Sequence, residues 1–273
     1  MIIGVLGANG FVGRSLCTTF LNSGNTVLAF YNSSQSDVPE GCVCYAVDRL
    51  PETKMNCLFI AMGGHGLSYE SYLRQFLSLQ ATLQALNFDR MVYISSTEVY
   101  GAHIGIINAD SCYNNPKTYG LSKLMEEFLI NSFENVSIIR PTYIYGIGMK
   151  PNSLVPIWIK QALVAKEIVV YGDGTRCQDY LHINDLMDLC QLLATSVIKE
   201  VVVAATGNSI TNMDLAKCIG GHLGGIKIST RDSDLSSSFH FDVSKTFCLF
   251  GWQSKISIQD GIKELIDYEI ANL

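Results

Sequence analysis

The N-terminal stretch Ile2-Ile3-Gly4-Val5-Leu6-Gly7-Ala8-Asn9-Gly10-Phe11-Val12-Gly13 decides the fold. Its apolar run does not alternate with polar residues, which is typical of a parallel strand buried on both faces. The run stops at Gly7, and Phe11, Leu16 and Phe20 then recur at helical spacing. Glycine permits a tight turn and the close approach of a pyrophosphate, which the N–H groups of the following helix can bind. The stretch therefore predicts a dinucleotide-binding unit, although a tight turn without a ligand has the same pattern.

The composition fits one large domain, or one domain with a smaller annex. The chain has 273 residues, of which 48% are hydrophobic, and a net charge of −6. Because it also lacks a basic run, we expect no general nucleic-acid surface. No apolar run reaches the ~18 residues of a membrane span. Residue 2 already belongs to the predicted first strand, so we expect no signal peptide, no membrane partner and a cytoplasmic location.

Nine cysteines are scattered through the chain, mostly inside apolar segments. Cys42 and Cys44 form the one close pair, and no second cysteine or histidine pair lies near them in sequence. We therefore expect no zinc or other metal site. An odd number of cysteines without a secretory signal fits reduced, buried thiols in a cytoplasm.

Apolar strands alternate with amphipathic helices through the first half of the chain. We predict strands at 26–30, 43–47, 57–62, 91–94 and 136–139, and helices at 68–86 and 118–132. Strands separated by helices pair in parallel. The pattern therefore predicts an α/β fold with a doubly wound parallel Rossmann sheet.

The pattern changes after Arg140. We predict helices at 154–164, 185–194, 212–223 and 257–270, and short strands at 168–171, 201–204 and 226–228. Thr211 and Ser257 are expected to cap two of these helices. The predicted organisation is a Rossmann domain over residues 1–146 and a smaller, substrate-binding α/β portion over 147–273. Some segments of the second part are expected to cross back to the first sheet.

Tyr119 and Lys123 stand four residues apart at the start of a predicted helix, which places the phenol and the ammonium on one face. A free tyrosine has a pKa near ~10, so a tyrosine base near neutrality needs a drop of roughly three pKa units. A lysine cation favours the phenolate and supplies part of that drop. Because such pairs also occur by chance on helix surfaces, this pair alone does not establish a site.

Hydroxyl residues follow the strand predicted at 91–94, in the sequence Ser95-Ser96-Thr97-Glu98. The carboxyl ends of strands line the ligand crevice of a doubly wound sheet, where a hydroxyl can bond a substrate oxygen. Serines after strands also cap turns, so a purely structural role is the alternative.

Together these motifs resemble the extended short-chain dehydrogenase/reductase family, in its branch of NAD(P)-dependent nucleotide-sugar epimerases, dehydratases and reductases. The resemblance covers nearly the whole chain, and several motifs in order are more specific than any one of them. The matching positions are Gly7, Gly10, Gly13, Ser96, Tyr119, Lys123, Arg140-Pro141, Tyr145-Gly146, Gly172-Asp173-Gly174, Asp179-Tyr180-Leu181-His182-Ile183-Asn184-Asp185, Asp242-Val243-Ser244-Lys245 and Gly251-Trp252.

The resemblance implies a role for each matching site residue. Ser96 would polarise the reacting hydroxyl or carbonyl, Tyr119 would exchange the proton, and Lys123 would tune the tyrosine while holding the nicotinamide ribose. The implied cofactor is NAD or NADP. Its implied contacts are Gly7, Asn9, Gly10, Phe11, Val12, Gly13, Asn32, Asp48, Ala61 and Lys123. For Asp48, a cap at the end of a strand is an equally good interpretation.

Three departures from the family pattern concern the substrate. Family dehydratases carry an Asp-Glu pair where this chain has Thr97-Glu98, so dehydration is disfavoured. Tyr143 replaces a frequent asparagine, and Gln178 replaces a frequent arginine that clamps the diphosphate. Arg176 lies nearby and could take over the clamp. Thr97, Tyr143 and Arg176 are therefore the expected substrate contacts.

The resemblance implies an epimerase that acts on a nucleotide-activated sugar through a transient keto intermediate. An NAD(P)H-dependent reductase of a keto sugar would use the same residues and stays an alternative. A catalytically inactive dinucleotide-binding regulator is a third, disfavoured because Ser96, Tyr119 and Lys123 are all present. A homodimer is one option for the assembly. The segment Phe30-Tyr31-Asn32-Ser33-Ser34 holds no acid and no arginine, which predicts weak discrimination between NAD and NADP.

Overall fold

A computed structural model describes residues 1–32, 34–103, 105–234 and 236–272. Within these residues the strands are β1 (Ile2–Leu6), β2 (Thr26–Tyr31), β3 (Val43–Ala46), β4 (Cys57–Ile60), β5 (Met91–Ile94), β6 (Ile106–Ile107), β7 (Val136–Pro141), β8 (Tyr143–Tyr145), β9 (Glu167–Tyr171), β10 (Cys177–Gln178), β11 (Tyr180–His182), β12 (Val201–Ala204), β13 (Ile210–Thr211), β14 (Lys227–Arg231) and β15 (His240–Phe241). The helices are α1 (Phe11–Asn22), α2 (Tyr69–Ala85), α3 (Thr118–Ile130), α4 (Leu154–Ala165), α5 (Ile183–Thr195), α6 (Asn212–Leu223), α7 (Ser244–Phe250) and α8 (Ile258–Ala271), and a 3-10 turn spans Thr97–Tyr100.

Seven strands form a parallel sheet in the order β12-β7-β5-β4-β1-β2-β3. In the centre, Val5 of β1 lies opposite Ala29 of β2 and Phe59 of β4. Strands β4 and β5 are buried along their whole length, as their unbroken apolar sequences require of strands covered on both faces. The predicted doubly wound Rossmann sheet is confirmed.

Helices cover both faces of this sheet. On one face α1 packs against α5, and Leu16 and Leu186 contribute to a common core. On the other face α2 packs against α3, with Leu83 and Ile130 in the core. This arrangement leaves the carboxyl ends of the central strands as the edge at which loops from both layers meet.

The second half of the chain contributes to two separate cores. Helices α4, α6 and α8 enclose a cluster that contains Trp158, Leu215 and Leu265. In contrast, β12 joins the edge of the main sheet and α5 covers it, so later segments do return to the first sheet. Asp185 fastens the C-terminal segment there, because its carboxylate accepts hydrogen bonds from the N–H groups of Lys255 and Ile256, both at 3.1 Å. The domain boundary between residues 146 and 147 stays a prediction.

Predicted and observed elements differ mainly at their ends. The helix predicted at 118–132 ends at Ile130, and the strand predicted at 226–228 runs from Lys227 to Arg231. The two caps are confirmed: Thr211 and Ser257 accept hydrogen bonds from backbone N–H groups three residues on, at 3.0 and 3.1 Å. The strands of two or three residues escaped prediction because they are too short to show a hydrophobic period.

Candidate active site

One cavity at the carboxyl ends of β1, β4 and β5 gathers most of the predicted site residues. Those that line it are Phe11, Val12, Ala61, Ser96, Thr97, Tyr119, Lys123, Tyr143 and Arg176. They come from both halves of the chain. The sheet therefore brings the dinucleotide turn, the Tyr–Lys pair and the expected substrate contacts to one place.

The turn between β1 and α1 has the geometry of an anion cradle. Gly7 adopts a φ of +88°, which favours glycine. A Cβ on Gly13 would overlap the carbonyl oxygen of Gly7, so glycine lets the helix pack closely on the turn. Gly10 precedes α1 without a side-chain cap, which leaves the first N–H groups of the helix, at Phe11 and Val12, to bind a ligand. These residues fit the pyrophosphate of a dinucleotide.

Six predicted cofactor contacts are not among the residues that line the cavity: Gly7, Gly10 and Gly13 belong to the turn just described, and the other three are Asn9, Asn32 and Asp48. The Nδ2 of Asn9 donates a hydrogen bond of 3.2 Å to the carbonyl oxygen of Ser34, which ties the turn to the segment after β2. Asn32 and Asp48 are exposed, and Asp48 borders a separate depression on the surface. Ser33, part of the segment used to predict cofactor choice, lies outside the described residues. Roles for Asn9, Asn32 and Asp48 stay predictions.

Ser96 caps the 3-10 turn, and the same hydroxyl is able to donate a hydrogen bond to a ligand. Its Oγ accepts a hydrogen bond of 3.1 Å from the N–H of Glu98 and so caps the 3-10 turn. Because a hydroxyl both accepts and donates, its O–H can still be offered to a ligand in the cavity. The neighbouring Ser95 instead donates to Glu127 Oε1 at 2.5 Å. Ser95 is thus engaged by Glu127, and the role of Ser96 toward substrate stays a prediction.

Tyr119 lies in the first turn of α3, packed against the 3-10 turn. A Cβ on Gly120 would overlap the carbonyl oxygen of Glu98, so glycine makes this approach possible. Burial raises the pKa of Tyr119; the Lys123 ammonium lowers it, and the Glu126 carboxylate raises it further. The expected lysine contribution is therefore present, but burial outweighs it in the net shift of the Tyr119 pKa. The role of Tyr119 stays a prediction.

His65 covers the ring of Tyr119, with 3.9 Å between the ring centroids. It belongs to the loop Gly63-Gly64-His65-Gly66 after β4 and lines the cavity. Burial lowers the pKa of His65, although Glu98 opposes this shift. His182 has a different role: its Nδ1 accepts a hydrogen bond of 3.3 Å from the N–H of Asn184 and caps α5.

The ammonium of Lys123 is enclosed by protein acceptors. The residue is 1% exposed, and its Nζ lies 2.7 Å from the carbonyl oxygen of Met62 and 3.1 Å from the hydroxyl of Tyr93. It also lies 3.3 Å from Glu126 Oε2 and 3.4 Å from the carbonyl oxygen of Ile94. Sequence reasoning missed Glu126; the available signal was its position three residues after Lys123, on the same helix face.

A second buried ion pair fixes α3 to β7. Arg140 Nε and Nη2 lie 2.9 and 2.6 Å from the two carboxylate oxygens of Glu127, and Nη1 donates to the hydroxyl of Tyr100 at 2.9 Å. Burial acts to lower the pKa of Arg140, but Glu127 and Tyr100 raise it overall. This bidentate pair holds in place the helix that carries Tyr119.

Two of the three expected substrate contacts, Tyr143 and Arg176, already have protein partners. The hydroxyl of Tyr143 accepts a hydrogen bond of 3.2 Å from the N–H of Leu154, at the start of α4. Arg176 donates from Nε to the carbonyl oxygen of Ser237 at 3.1 Å, and its Nη1 lies 3.6 Å from Asp234. A diphosphate would therefore have to compete with the partly exposed carboxylate of Asp234 for the guanidinium of Arg176.

The described residues hold neither a metal cluster nor a membrane-spanning helix. Outside the four undescribed positions, no three His, Cys, Asp or Glu side chains are arranged to hold a metal ion. Within the same ranges, no helix has the length and apolar character to cross a membrane. All nine cysteines are free thiols, of which Cys112 and Cys248 are exposed.

Comparisons with known proteins show one family. The profile of the NAD dependent epimerase/dehydratase family matches residues 66–205, which is more than half of the chain. The low-salt glycan biosynthesis protein Agl12 of Haloferax volcanii is 27% identical over 206 residues, 71% of this chain and 66% of that protein. A dTDP-glucose 4,6-dehydratase of Actinoplanes sp. is 25% identical over 197 residues, 67% of this chain and 61% of that protein. The match thus spans slightly less than two thirds of each relative.

The fold also matches that of a solved complex. The structure of MoeE5 in complex with UDP-glucuronic acid and NAD superimposes with a TM-score of 0.87 and covers 100% of both chains, at 23% identity. At this identity the similarity establishes a shared fold.

Proposed function

The chain belongs to the NAD dependent epimerase/dehydratase family, and from this we propose that it is an NAD(P)-dependent epimerase of a nucleotide-activated sugar. One observation carries the proposal: Ser96, Tyr119 and Lys123 line the same cavity as the start of α1 at Phe11 and Val12. A dinucleotide bound at the helix start would extend toward the hydroxyl of Ser96, the phenol of Tyr119 and the ammonium of Lys123.

The residues present fit NAD or NADP. The N–H groups at the start of α1 would hold the pyrophosphate, and Lys123 would hold a ribose hydroxyl after exchanging one of its four protein acceptors. When bound, the nicotinamide supplies hydride transfer to and from a sugar carbon. That MoeE5 forms a complex with NAD and UDP-glucuronic acid on the same fold supports both ligand classes.

The chain's own residues then carry the proton chemistry. Ser96 donates its O–H to the reacting oxygen of the sugar, and Tyr119 Oη takes the proton when that hydroxyl becomes a carbonyl. When the carbonyl is reduced on its other face, Tyr119 returns the proton and the sugar is epimerised. Thr97 has no acidic proton with which to expel a water molecule, so its place in the cavity supports epimerisation over dehydration.

The nucleotide part of the substrate would bind at the opposite end of the cavity. Arg176 is the cation there, and its guanidinium can form paired hydrogen bonds with a diphosphate once Asp234 is displaced. Tyr143 adds an aromatic ring to the lining of the same cavity. The proposed substrate is therefore a sugar linked to a nucleoside diphosphate.

Reduction of a keto sugar is the second candidate, and one observation favours it. Burial raises the pKa of Tyr119 and so favours the protonated form of its phenol. A protonated phenol is ready to donate to a carbonyl, whereas epimerisation must first remove a proton from a hydroxyl. The epimerase stays the first candidate because all its motif residues are present.

A substrate panel separates the candidates. Purified protein is incubated with UDP- and dTDP-sugars and with keto sugars, with and without added cofactor, and the products are identified by NMR. An epimerase converts one sugar into its epimer with no net change in nicotinamide absorbance. Stoichiometric oxidation of NAD(P)H with a keto sugar would instead establish a reductase. Tight dinucleotide binding without turnover on any sugar would favour a regulator.

We also propose a homodimer, formed through the outer faces of α2 and α3. Apolar side chains at helical spacing are exposed on both helices: Tyr69, Leu73, Leu77, Leu121, Met125 and Phe128. Phe128 is 87% exposed. Exposed apolar faces of this kind mark protein–protein contacts, and a twofold axis lets one face pair with itself.

Sedimentation equilibrium tests the dimer. Phe128→Glu should convert a dimer into a monomer, whereas the control Val197→Glu, at a residue that is 89% exposed away from these helices, should not. A wild-type monomer at all accessible concentrations would rule the dimer out.

A further inference from the structure

Glu126 is a buried carboxylate for which the mechanism above has no use. It is 1% exposed, on the side of α3 that faces the sheet. Its Oε2 lies 3.3 Å from the Nζ of Lys123 and accepts a hydrogen bond from the hydroxyl of Tyr93. Its Oε1 accepts a hydrogen bond of 2.7 Å from Gln75 Nε2 on α2. Both carboxylate oxygens are thus satisfied, and the charge is held against the ammonium.

The other charged groups around this cluster have different partners. Glu127, the next residue, is bound to Arg140 on the opposite side of α3. Glu98, in the 3-10 turn, faces Tyr119 and His65. Lys150, in the loop after β8, is a cation that faces His65. Among the described residues, Glu126 is the carboxylate within ion-pair distance of Lys123 Nζ.

The position of Glu126 has two physical consequences. A carboxylate in contact with an ammonium stabilises its charged form and offsets part of its field at a nearby phenol. The contact also fixes the ammonium, because Tyr93 bridges Glu126 and Lys123 through one hydroxyl. Lys123 and Glu126 stand three residues apart on α3, the helix that also carries Tyr119, so the three residues move together.

We propose that Glu126 is a positioning residue of the active site, which holds the Lys123 ammonium and sets the pH range over which Tyr119 exchanges its proton. The inference rests on the proposed function, since it concerns the same Tyr–Lys pair. Removing the negative charge leaves the field of the ammonium at the phenol less opposed, so Tyr119 should lose its proton at a lower pH. The limb of a pH–rate profile that reports Tyr119 should therefore move toward acid.

The test compares the pH–rate profiles of wild type and three variants. Glu126→Gln removes the charge but can keep both hydrogen bonds if the amide of Gln75 turns over. The limb that reports Tyr119 should fall by about one pH unit. Glu126→Asp keeps the charge but withdraws it by one methylene, so this limb should lie between those of Glu126→Gln and wild type. Gln75→Leu, the matched control, removes a hydrogen bond without a charge and should leave the limb in place even where turnover falls.

The order wild type, Asp, Gln in this limb supports the proposal, and an unmoved limb in Glu126→Gln overturns it. If Glu126→Gln does not fold, Glu126→Asp decides: its limb must move toward acid, and an unmoved limb again overturns the proposal. A readout without turnover separates this inference from the proposed function. The phenol of Tyr119 is titrated by NMR with isotope-labelled tyrosine, its signal assigned by Tyr119→Phe. The same order of titration midpoints is expected even where no sugar is turned over.

Discussion

Lys123→Met should destabilise the folded protein as well as impair the site. Methionine keeps most of the buried hydrocarbon stem but removes the ammonium, which leaves Glu126 without a cation in a site that is 1% exposed. Breaking a buried pair by removal of one partner costs about 3–5 kcal/mol. The penalty has an upper bound, because the carboxylate can become neutral, and protonating an ordinary glutamate at pH 7 costs about 4 kcal/mol. We therefore expect a loss of about 3 kcal/mol in the free energy of unfolding at pH 7.

The sign of the pH dependence follows from the proton that the variant takes up on folding. In Lys123→Met, the folded state binds a proton at Glu126 that the unfolded state does not hold at pH 7. The penalty relative to wild type should therefore shrink by about 1.4 kcal/mol for each pH unit between pH 7 and pH 5. The double variant Lys123→Met/Glu126→Gln removes the unpaired charge and should recover most of the loss at pH 7.

Urea unfolding followed by circular dichroism measures the loss of unfolding free energy at pH 7, its change with pH and its recovery in the double variant. Each variant is compared with wild type at the same pH. The single variant should also bind NAD(P) more weakly and turn over more slowly, because the ribose contact and the cation near Tyr119 are both lost. A loss below about 1 kcal/mol at pH 7 would refute the reasoning. So would a double variant no more stable than the single one.

Three further results are expected. Gly13→Ala should weaken NAD(P) binding at least about tenfold in a fluorescence titration, because its Cβ would overlap the Gly7 carbonyl, whereas Gly221→Ala, with nothing within 4 Å, should bind normally. The dissociation constants of NAD and NADP should differ by less than about tenfold, because Asn32, which directly follows β2, carries no charge that could distinguish a ribose hydroxyl from a 2′-phosphate. A preference for NAD of about a hundredfold would contradict this expectation. Because burial raises the pKa of Tyr119, oxidation of a sugar hydroxyl should accelerate between about pH 7 and about pH 9. A rate already constant over that range would show that the phenol ionises below neutrality.

Sequence alone predicts the parts of the fold that rest on local pattern. The unbroken apolar runs at Ile2–Leu6 and Met91–Ile94 indicate buried parallel strands, and both lie in the centre of the sheet. The glycine turn and the i, i+4 spacing of Tyr119 and Lys123 likewise depend on neighbours in the chain. These features are visible in the sequence because their geometry is fixed within one turn of helix or one strand.

Contacts between distant elements could not be predicted in the same way. A glutamate in a helix is usually exposed, so nothing in the sequence showed that Glu126 would be buried against Tyr93 and Gln75. The stacking of His65 on Tyr119 depends on the path of a glycine-rich loop. The net rise in the Tyr119 pKa depends on burial, which only the packed structure reveals.

The turnover of Tyr119→Phe tests the account most directly. The substitution removes one oxygen and keeps the ring that packs against His65, so the fold and the dinucleotide turn should be unchanged. Positioned acid–base catalysis contributes ~10²–10⁴ in rate. We therefore expect turnover on the substrate identified by the panel to fall by at least about a hundredfold, while the dissociation constant for the dinucleotide stays within about twofold. Turnover near the wild-type rate would mean that another group carries the proton, and would contradict the central role assigned to Tyr119.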